Sequence, residues 1–384
     1  MKTTLLHPWH EAVGARFTRF AGFDMPIQYP TGAIEEHRLC RRSVGLFDID
    51  HMGQVIISGK GAGEALSRIV SAPILDMHFQ EARYALLLNE AGGVIDDLFI
   101  YRVDDPGRIA RTLQNPFRDI WFVVVNAGNR ETDVSYFRAQ MPPEVSVEDI
   151  SEETCMIAVQ GPRAVELLDT LTGGEVSALP RNHINAGTIE GIPVLIGRTG
   201  YTGEDGAELF YPSGKAQELW EYLFLEAKTG GIEAGPVGLA ARDSLRFEAG
   251  MPLHGHEISP AITPLEAGLS WACDFTKPFM GKEALLAQKA AGIKRKILTL
   301  HVTGGVPREG YPVLNQAGAE IGSCVAGMFC PSIGTYSANA LVASEYAEPG
   351  MGLQVLIRGN PKDAVVVPRP LYPPVYKRKK GASQ

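Results

Sequence analysis

No apolar run in the 384-residue chain approaches the roughly 20 residues that cross a bilayer, so no membrane-spanning helix is expected. The opening residues 1–10 lack both the apolar centre of a secretory leader and the Arg-rich amphipathic pattern of a transit peptide. Cysteine is scarce and scattered. Cys40, Cys155, Cys273, Cys324 and Cys330 form no C-x-x-C pair, and an odd, dispersed set argues for reduced thiols. These absences together place the chain in the cytoplasm. Positive charge is also in deficit: a formal net charge of −8 excludes an electrostatic footprint for nucleic acid. The compact basic run at 377–380 reads either as a solvated tail or as a docking point for an acidic partner. Phosphate-loop, G-x-G-x-x-G, H-E-x-x-H and G-x-S-x-G signatures are missing, which removes the commonest nucleotide, zinc-protease and serine-hydrolase readings. His254-Gly255-His256-Glu257 stands without further Cys or His clustering, so no metal is expected.

Glycine and proline are abundant, at 42 and 26, which favours turn-rich, partly β architecture over a helical bundle. The length implies two or three domains. Apolar spacing predicts a helix over 31–44, with Thr31 as its cap and Ile34, His37, Leu39 and Cys40 roughly on one side, and another over 61–72 carrying Ala65, Leu66, Ile69 and Val70. Strands are expected at 84–88 and 94–101, joined by a Gly-containing loop, then at 121–125 after a polar excursion over 104–117. A strand at 157–162 precedes a helix over 163–171. A second hairpin joins 193–197 to 207–211. The clearest helix has Ser213 as its cap and Ala216, Leu219, Trp220, Leu223, Phe224 and Ala227 on one stripe. Pro236 fits the first turn of a helix over 237–248. Beyond 282, six short β-rich runs (296–302, 310–314, 321–327, 338–342, 353–357 and 363–367) alternate with Gly and Pro turns, as a small antiparallel barrel or jelly roll requires. Two runs of strand-hairpin-helix segments, divided near 150, read as two subdomains.

Three stretches carry chemistry. Residues 92–101 hold Asp96 and Asp97 inside an apolar strand, where alternation gives Val94, Asp96, Leu98 and Ile100 one face and Ile95, Asp97, Phe99 and Tyr101 the other. A carboxylate there costs several kcal/mol or more unless bonded, paired or turned to a polar cavity, so each acid is either structural or chemical. In Arg198–Glu208, Gly200, Gly203 and Gly206 hold a tight backbone from which Tyr201 and Glu208 project, as in a ligand-binding loop. Arg242 and Arg246 lie one helical turn apart, either as ion-pair partners or as a clamp for a carboxylate or heterocycle.

Together with Ala21-Gly22-Phe23-Asp24-Met25-Pro26, Gly45-Leu46-Phe47-Asp48, His51-Met52, Val124-Val125-Asn126, Val159-Gln160-Gly161-Pro162, Thr263-Pro264-Leu265-Glu266 and Pro307-Arg308-Glu309-Gly310-Tyr311, these stretches resemble the aminomethyltransferase of the glycine cleavage system, the T protein, in the same order over roughly 7–376. The resemblance implies an α+β, three-domain cloverleaf. Two interlocked α/β subdomains over 1–275 would form a folate channel, 276–293 a linker, 294–376 a C-terminal antiparallel β-barrel or jelly roll, and 377–384 a basic tail. It further implies tetrahydrofolate as co-substrate, transient docking of a lipoylated carrier (the H protein), and transfer of an aminomethyl carbon with release of ammonia. Asp97 falls on the family's essential carboxylate, and Met52, Tyr84, Asn126, Tyr201, Glu208, Arg242 and Tyr376 on its folate contacts. Departures are Asp50 where the family has Ser, Val325-Ala326-Gly327 for Thr-Ser-Gly, and Cys330-Pro331-Ser332-Ile333-Gly334 for Ser-Pro-x-Leu-Lys-Lys. The alternatives on the same scaffold are a tetrahydrofolate-dependent demethylase of a small molecule and a non-enzymatic folate binder. The latter's Cys-containing motif is absent, Tyr201-Thr202-Gly203-Glu204 standing in its place.

Overall fold

The computed structural model describes residues 1–103, 120–374 and 376. The polar excursion expected over 104–117 and the tail at 377–384 lie outside them. Two compact units form, one from Met1–Ser67, Pro73–Ala85 and Leu98–Leu245, the other from Arg68–Ala72, Leu86–Asp97 and Arg246–Gln384. No helix among the described residues is long and apolar enough to cross a membrane.

In the first unit a six-stranded sheet runs in the order Ile184–Ile189, Ile192–Gly197, Gly206–Pro212, Thr154–Gln160, Val44–Asp48, Ala234–Pro236. Its central strands are apolar at nearly every position because both faces are buried. Cys155, Ile157 and Val159 enter one core with Ala207, Leu209 and Tyr211, packed under helices Ala164–Thr172 and Ala216–Thr229. Met156 and Ala158 enter a second core with Phe210. That second core is shared with Ile56, Tyr101, Val103, Ile120, Phe122 and Val124, which alternate along a five-stranded sheet of order Ala82–Leu88, Val94–Val103, Ile120–Val125, Gly53–Gly59, Val145–Asp149. The two sheets therefore face each other across one apolar layer.

Both sequence-expected hairpins form, the second with Leu195 opposite Phe210. Local signals mislead at helix starts. The helix Ala33–Arg42 begins after Gly32, at φ 83°, and not at Thr31; Ile34 is exposed while Glu36, His37 and Cys40 are buried. Ser213 sits in a 3₁₀ turn ahead of Ala216–Thr229 and caps nothing, since that turn continues straight into the helix. Pro236 ends a short parallel strand whose partner is Val44–Asp48, and the helix starts later, at Leu239. The helix Arg130–Gln140 and strand Val145–Asp149 go beyond the sequence expectations, their pattern being polar.

The second unit contains the six-stranded barrel, closed in the order Arg295–Val302, Thr335–Ala343, Glu320–Cys330, Pro312–Leu314, Gly352–Ile357, Asn360–Val367, with antiparallel neighbours throughout. Thr263 accepts from the Glu266 backbone while Glu266 reaches back to Thr263, a capping box whose carboxylate also takes the Arg295 guanidinium at 2.9 Å. A buried Arg246–Glu257 pair at 2.7 Å continues through Asn339 to Thr299 inside the barrel wall.

In the first unit buried Asp48 and half-buried Asp50 share a corner. Asp48 accepts from Thr4 Oγ1 at 2.6 Å, His10 Nε2 at 2.8 Å and the Asp50 backbone at 2.9 Å. Asp50 accepts from the Leu5 and Met156 backbones, at 3.1 and 3.3 Å. Burial, and then the Asp48 charge, push the Asp50 carboxyl up to about 7. The unfolded chain ionises it near its ordinary value of about 4. Between those values the folded state holds a proton that the unfolded state has released, so stability falls as pH rises through the window. Asp50→Ser should flatten that slope by up to a few kcal/mol, on the scale of about 1.4 kcal/mol for each tenfold difference in proton affinity between the two states. Chemical denaturation of both proteins at about pH 5 and 8 checks it; parallel pH dependences would exclude Asp50 as the cause.

Candidate functional site

The Gly-rich loop is held from below by buried polar groups. Arg198 donates to the Val176, Leu179 and Gly206 carbonyls and grips both oxygens of Asp205, at 2.8 and 2.9 Å. The Gln160 amide donates to the Thr199 carbonyl at 3.1 Å and accepts from Thr202 Oγ1 at 3.0 Å. Arg41 binds the Thr202 carbonyl and the Glu204 carboxylate, at 2.7 and 2.9 Å. Any Cβ at Gly200 would stand 2.0 Å from Gln160, and Gly203 sits at φ 83°, so the glycines answer to close approach and to a left-handed turn. Most of this loop's polar side chains are spent on its own shape.

Tyr201 and Glu208 are not. The Arg242 guanidinium lies 4.9 Å from the Tyr201 ring centroid, a cation–π distance. Glu208 stands opposite Ala158 in the sheet register and so points into the apolar layer. Burial raises its carboxyl above the ordinary range; the Thr199 hydroxyl and the Arg242 charge oppose that rise. Arg242 is pulled down by burial and held up by Tyr201 and Glu208. Its helix is pinned at the start by Glu36, which accepts from the Tyr29 and Gly238 backbones at 2.6 and 2.8 Å, and further along by a His37–Ser244 bond of 2.7 Å.

His51 lies edge-on to Phe20, ring centroids 5.6 Å apart, and its Nδ1 has no partner among the described residues. Burial first, then Arg242, hold it down at about 4, so the imidazole is neutral at physiological pH. Gln54 is fully buried, and both its amide atoms lack a partner among the described residues. It pairs with Val124, itself opposite Phe99, which puts the amide on the face of the shared layer. Neither residue stands out from sequence alone. Strand parity counted onward from Met52 would have flagged Gln54.

Of the residues expected at a site, the first unit gathers five about this layer. Met52 packs against it; Tyr84 meets Phe99 at 6.1 Å, and Phe99 meets Tyr101 at 5.9 Å; Tyr201, Glu208 and Arg242 form the polar end. Asn126, half-buried, directly follows the strand Ile120–Val125. Asp97 is the last residue of the second unit before its strand continues as Leu98, and Tyr376 also belongs to that unit. Burial alternates from Val94 to Ile100 as expected, with Asp96 fully buried and Asp97 half-buried on the Phe99 face, and breaks at Tyr101, which is buried directly after Ile100. The two arginines divide between their two readings: Arg246 is the ion-pair partner of Glu257, and Arg242 faces an aromatic ring. Glu257 of the His-Gly-His-Glu run is thus committed to Arg246 and Asn339, and His256 to the Val325 carbonyl at 2.8 Å.

A buried acceptor carboxylate beside an aromatic-backed guanidinium has the chemistry to hold a planar, donor-rich small molecule. Residues 6–277 match the GCVT N-terminal domain, and residues 295–373 the glycine cleavage T-protein C-terminal barrel domain. The chain is 42% identical over 381 residues to an aminomethyltransferase of Herpetosiphon aurantiacus, covering 98% of this chain and 100% of that one. It is 39% identical over 374 residues to an aminomethyltransferase of Desulforamulus reducens, covering 97% and 98%. The crystal structure of glycine cleavage system aminomethyltransferase T from Bartonella henselae superposes with a TM-score of 0.88 at 32% identity, covering 97% and 98%. The chain belongs to the glycine cleavage T-protein family.

The Arg242–His51 coupling can be tested directly. Replacing Arg242 by Gln should let the His51 midpoint rise from about 4 while burial keeps it below the ordinary value of about 6.5. Imidazole NMR titration reads the shift; an unmoved midpoint would separate the two residues.

Proposed function

We infer that this chain works as the aminomethyltransferase of glycine cleavage, passing the one-carbon unit of an aminomethylated lipoyl carrier to tetrahydrofolate with release of ammonia. Glu208 carries the reading. A reduced pterin presents ring N–H groups and an amino group along one edge, and a buried acceptor carboxylate is the complement of that edge. Arg242 and Tyr201 supply a cationic and an aromatic surface for the ring system or its acidic tail. The Gln54 amide and His51 Nδ1 are further polar atoms with bonding capacity left. We assign Met52, Tyr84, Asn126 and Tyr376 to folate contact as well.

Tetrahydrofolate contributes the acceptor nitrogen. The protein's part is orientation and charge: holding the acceptor against the donor carbon, and answering the positive charge that develops as ammonia leaves. We assign the second task to Asp97, a carboxyl group that shares its face of the strand with Ile95 and Phe99. Asp96, fully buried on the other face, is assigned to structure. The carrier is a transient partner, since its arm must enter and leave at each turnover, and the cytoplasm is the compartment we assign to the reaction.

Asp97→Asn should lower turnover by about 10²–10³ with tetrahydrofolate still bound, the usual loss for one preorganised electrostatic group. Steady-state ammonia release with loaded carrier checks it. An Asp97→Asn enzyme keeping more than about a third of its turnover, beside an inactive but folded Asp96→Asn enzyme, would reverse the two assignments. Glu208→Ala and Arg242→Ala should each weaken tetrahydrofolate binding by about 1–3 kcal/mol in calorimetry. Turnover of free methylated amines, thioethers or aryl ethers, with none from the carrier, would make the chain a demethylase instead.

A further inference from the structure

Two hydroxyls, those of Thr199 and Tyr101, bond the Glu208 carboxylate. Thr199 Oγ1 donates to Glu208 Oε2 in a short hydrogen bond, and the Tyr101 hydroxyl lies 3.0 Å from the same Thr199 oxygen. All three side chains are buried, with relative exposures of 0% for Tyr101, 2% for Thr199 and 8% for Glu208. They come from three places in the first unit: the strand Val94–Val103, the Gly-rich loop, and the strand Gly206–Pro212. Their meeting point is shaped by Gly197, which pairs with Glu208 in the sheet. A Cβ there would stand 3.1 Å from Thr199 Oγ1 and 3.4 Å from the Tyr101 hydroxyl, crowding the junction.

Proton counting gives this chain of groups a direction. An ionised carboxylate only accepts. Thr199 has a single hydroxyl proton and gives it to Glu208, which leaves the Tyr101 proton for Thr199 and for the carboxylate itself, both of which Tyr101 bonds. Both hydroxyls thus turn their protons toward the ionised carboxylate, an arrangement lost when that carboxyl takes a proton on the bonded oxygen. Tyr101 is itself clamped by ring contacts with Phe122 and Phe210, at 5.7 and 5.9 Å, so the relay starts from a fixed hydroxyl.

We propose that Thr199 and Tyr101 are positioning residues of the binding site, a hydroxyl relay that fixes the rotamer of Glu208 and keeps it an ionised acceptor for the donor edge of the bound pterin. The inference rests on the functional reading above for the identity of the ligand, but not for the relay itself. Burial drives the Glu208 carboxyl upward; the Thr199 hydroxyl opposes it first, followed by the Arg242 charge, the Tyr101 hydroxyl and the Arg181 charge. Without the Thr199 hydroxyl the carboxyl takes its proton at higher pH, and a site that needs the anion loses its ligand at higher pH too.

The test compares wild type, Thr199→Val, Thr199→Ser and Tyr101→Phe, all checked for cooperative melting. In ligand-free protein with carboxyl-labelled glutamate, the Glu208 resonance, assigned through Glu208→Gln, should titrate at higher pH in Thr199→Val. It should return to the wild-type midpoint in Thr199→Ser and move up by less in Tyr101→Phe. Tetrahydrofolate affinity at neutral pH should fall about tenfold or more in Thr199→Val, the scale of a hydrogen bond to a charged group, and its pH dependence should follow the Glu208 midpoint. A Glu208 midpoint unchanged in folded Thr199→Val overturns the relay. If that variant does not fold, an unchanged midpoint in Tyr101→Phe does the same. Wild-type protein that titrates as described but binds no tetrahydrofolate leaves the relay standing and sinks the functional reading.

Discussion

The register between the strands Thr154–Gln160 and Gly206–Pro212 is the constraint on which the site depends. Both faces of these strands are buried, so alternate residues feed two different cores, and Glu208 enters one of them only because it stands opposite Ala158. A slip of one residue would exchange Glu208 for Leu209 and turn every partner to the wrong side. The slip is prevented at the loop end. Arg198 is tied to Asp205 across the loop, Gln160 is tied to Thr199 and Thr202, and Gly206 packs where any Cβ would meet the Val159 carbonyl at 2.1 Å. The polar residues of the loop thus serve function indirectly, by fixing a register.

Buried carboxylates in this chain differ in what compensates them, and that difference separates scaffold from site. Glu36 spends both oxygens on backbone N–H groups, Glu204 is paired with Arg41, and Glu257 with Arg246. Asp48 has a hydroxyl, an imidazole and a backbone N–H. Each of these carboxylates is bonded to groups of the scaffold. Glu208 has the Thr199 and Tyr101 hydroxyls in contact and a guanidinium that acts on it electrostatically, with Arg242 itself engaged by Tyr201. An acceptor carboxylate left with bonding capacity in an apolar layer is costly to a fold and useful to a ligand.

How much of this is legible in the sequence follows from which signals are local. The barrel is readable strand by strand, since each run is short, alternating and bounded by Gly or Pro. The helix Ala216–Thr229 announces itself through its apolar stripe, and Tyr201, Glu208 and Arg242 stand out as polar residues in otherwise apolar or Gly-rich settings. Helix starts mislead where tertiary contacts outweigh capping propensity: Gly32 replaces Thr31 at a left-handed turn, and Pro236 is claimed by a parallel strand. Thr199 and Tyr101 cannot be read at all. Their role depends on segments separated by about 100 residues of chain, which only register and burial bring into hydrogen-bond distance.

The departures from the family pattern become intelligible by the same reasoning. Asp50 adds a carboxylate two residues from Met52, but its oxygens accept from the Leu5 and Met156 backbones, so it joins the corner around Asp48 and anchors the N-terminal segment. Its cost falls on stability above neutral pH, separate from the chemistry of Glu208. Val325 occupies the register shift between Cys324 and Ala326, where a barrel strand carries an extra residue, and its carbonyl is taken by His256. A bulge selects for backbone geometry more than for a given side chain, which explains how a hydroxyl-rich stretch can be replaced by Val-Ala-Gly without loss of closure. Both substitutions are absorbed by backbone hydrogen bonds within their own unit. The side chains that set the polarity of the apolar layer, by contrast, have no backbone substitute: Glu208 must be an acceptor, Thr199 a donor, and Gly197 small enough to let them meet.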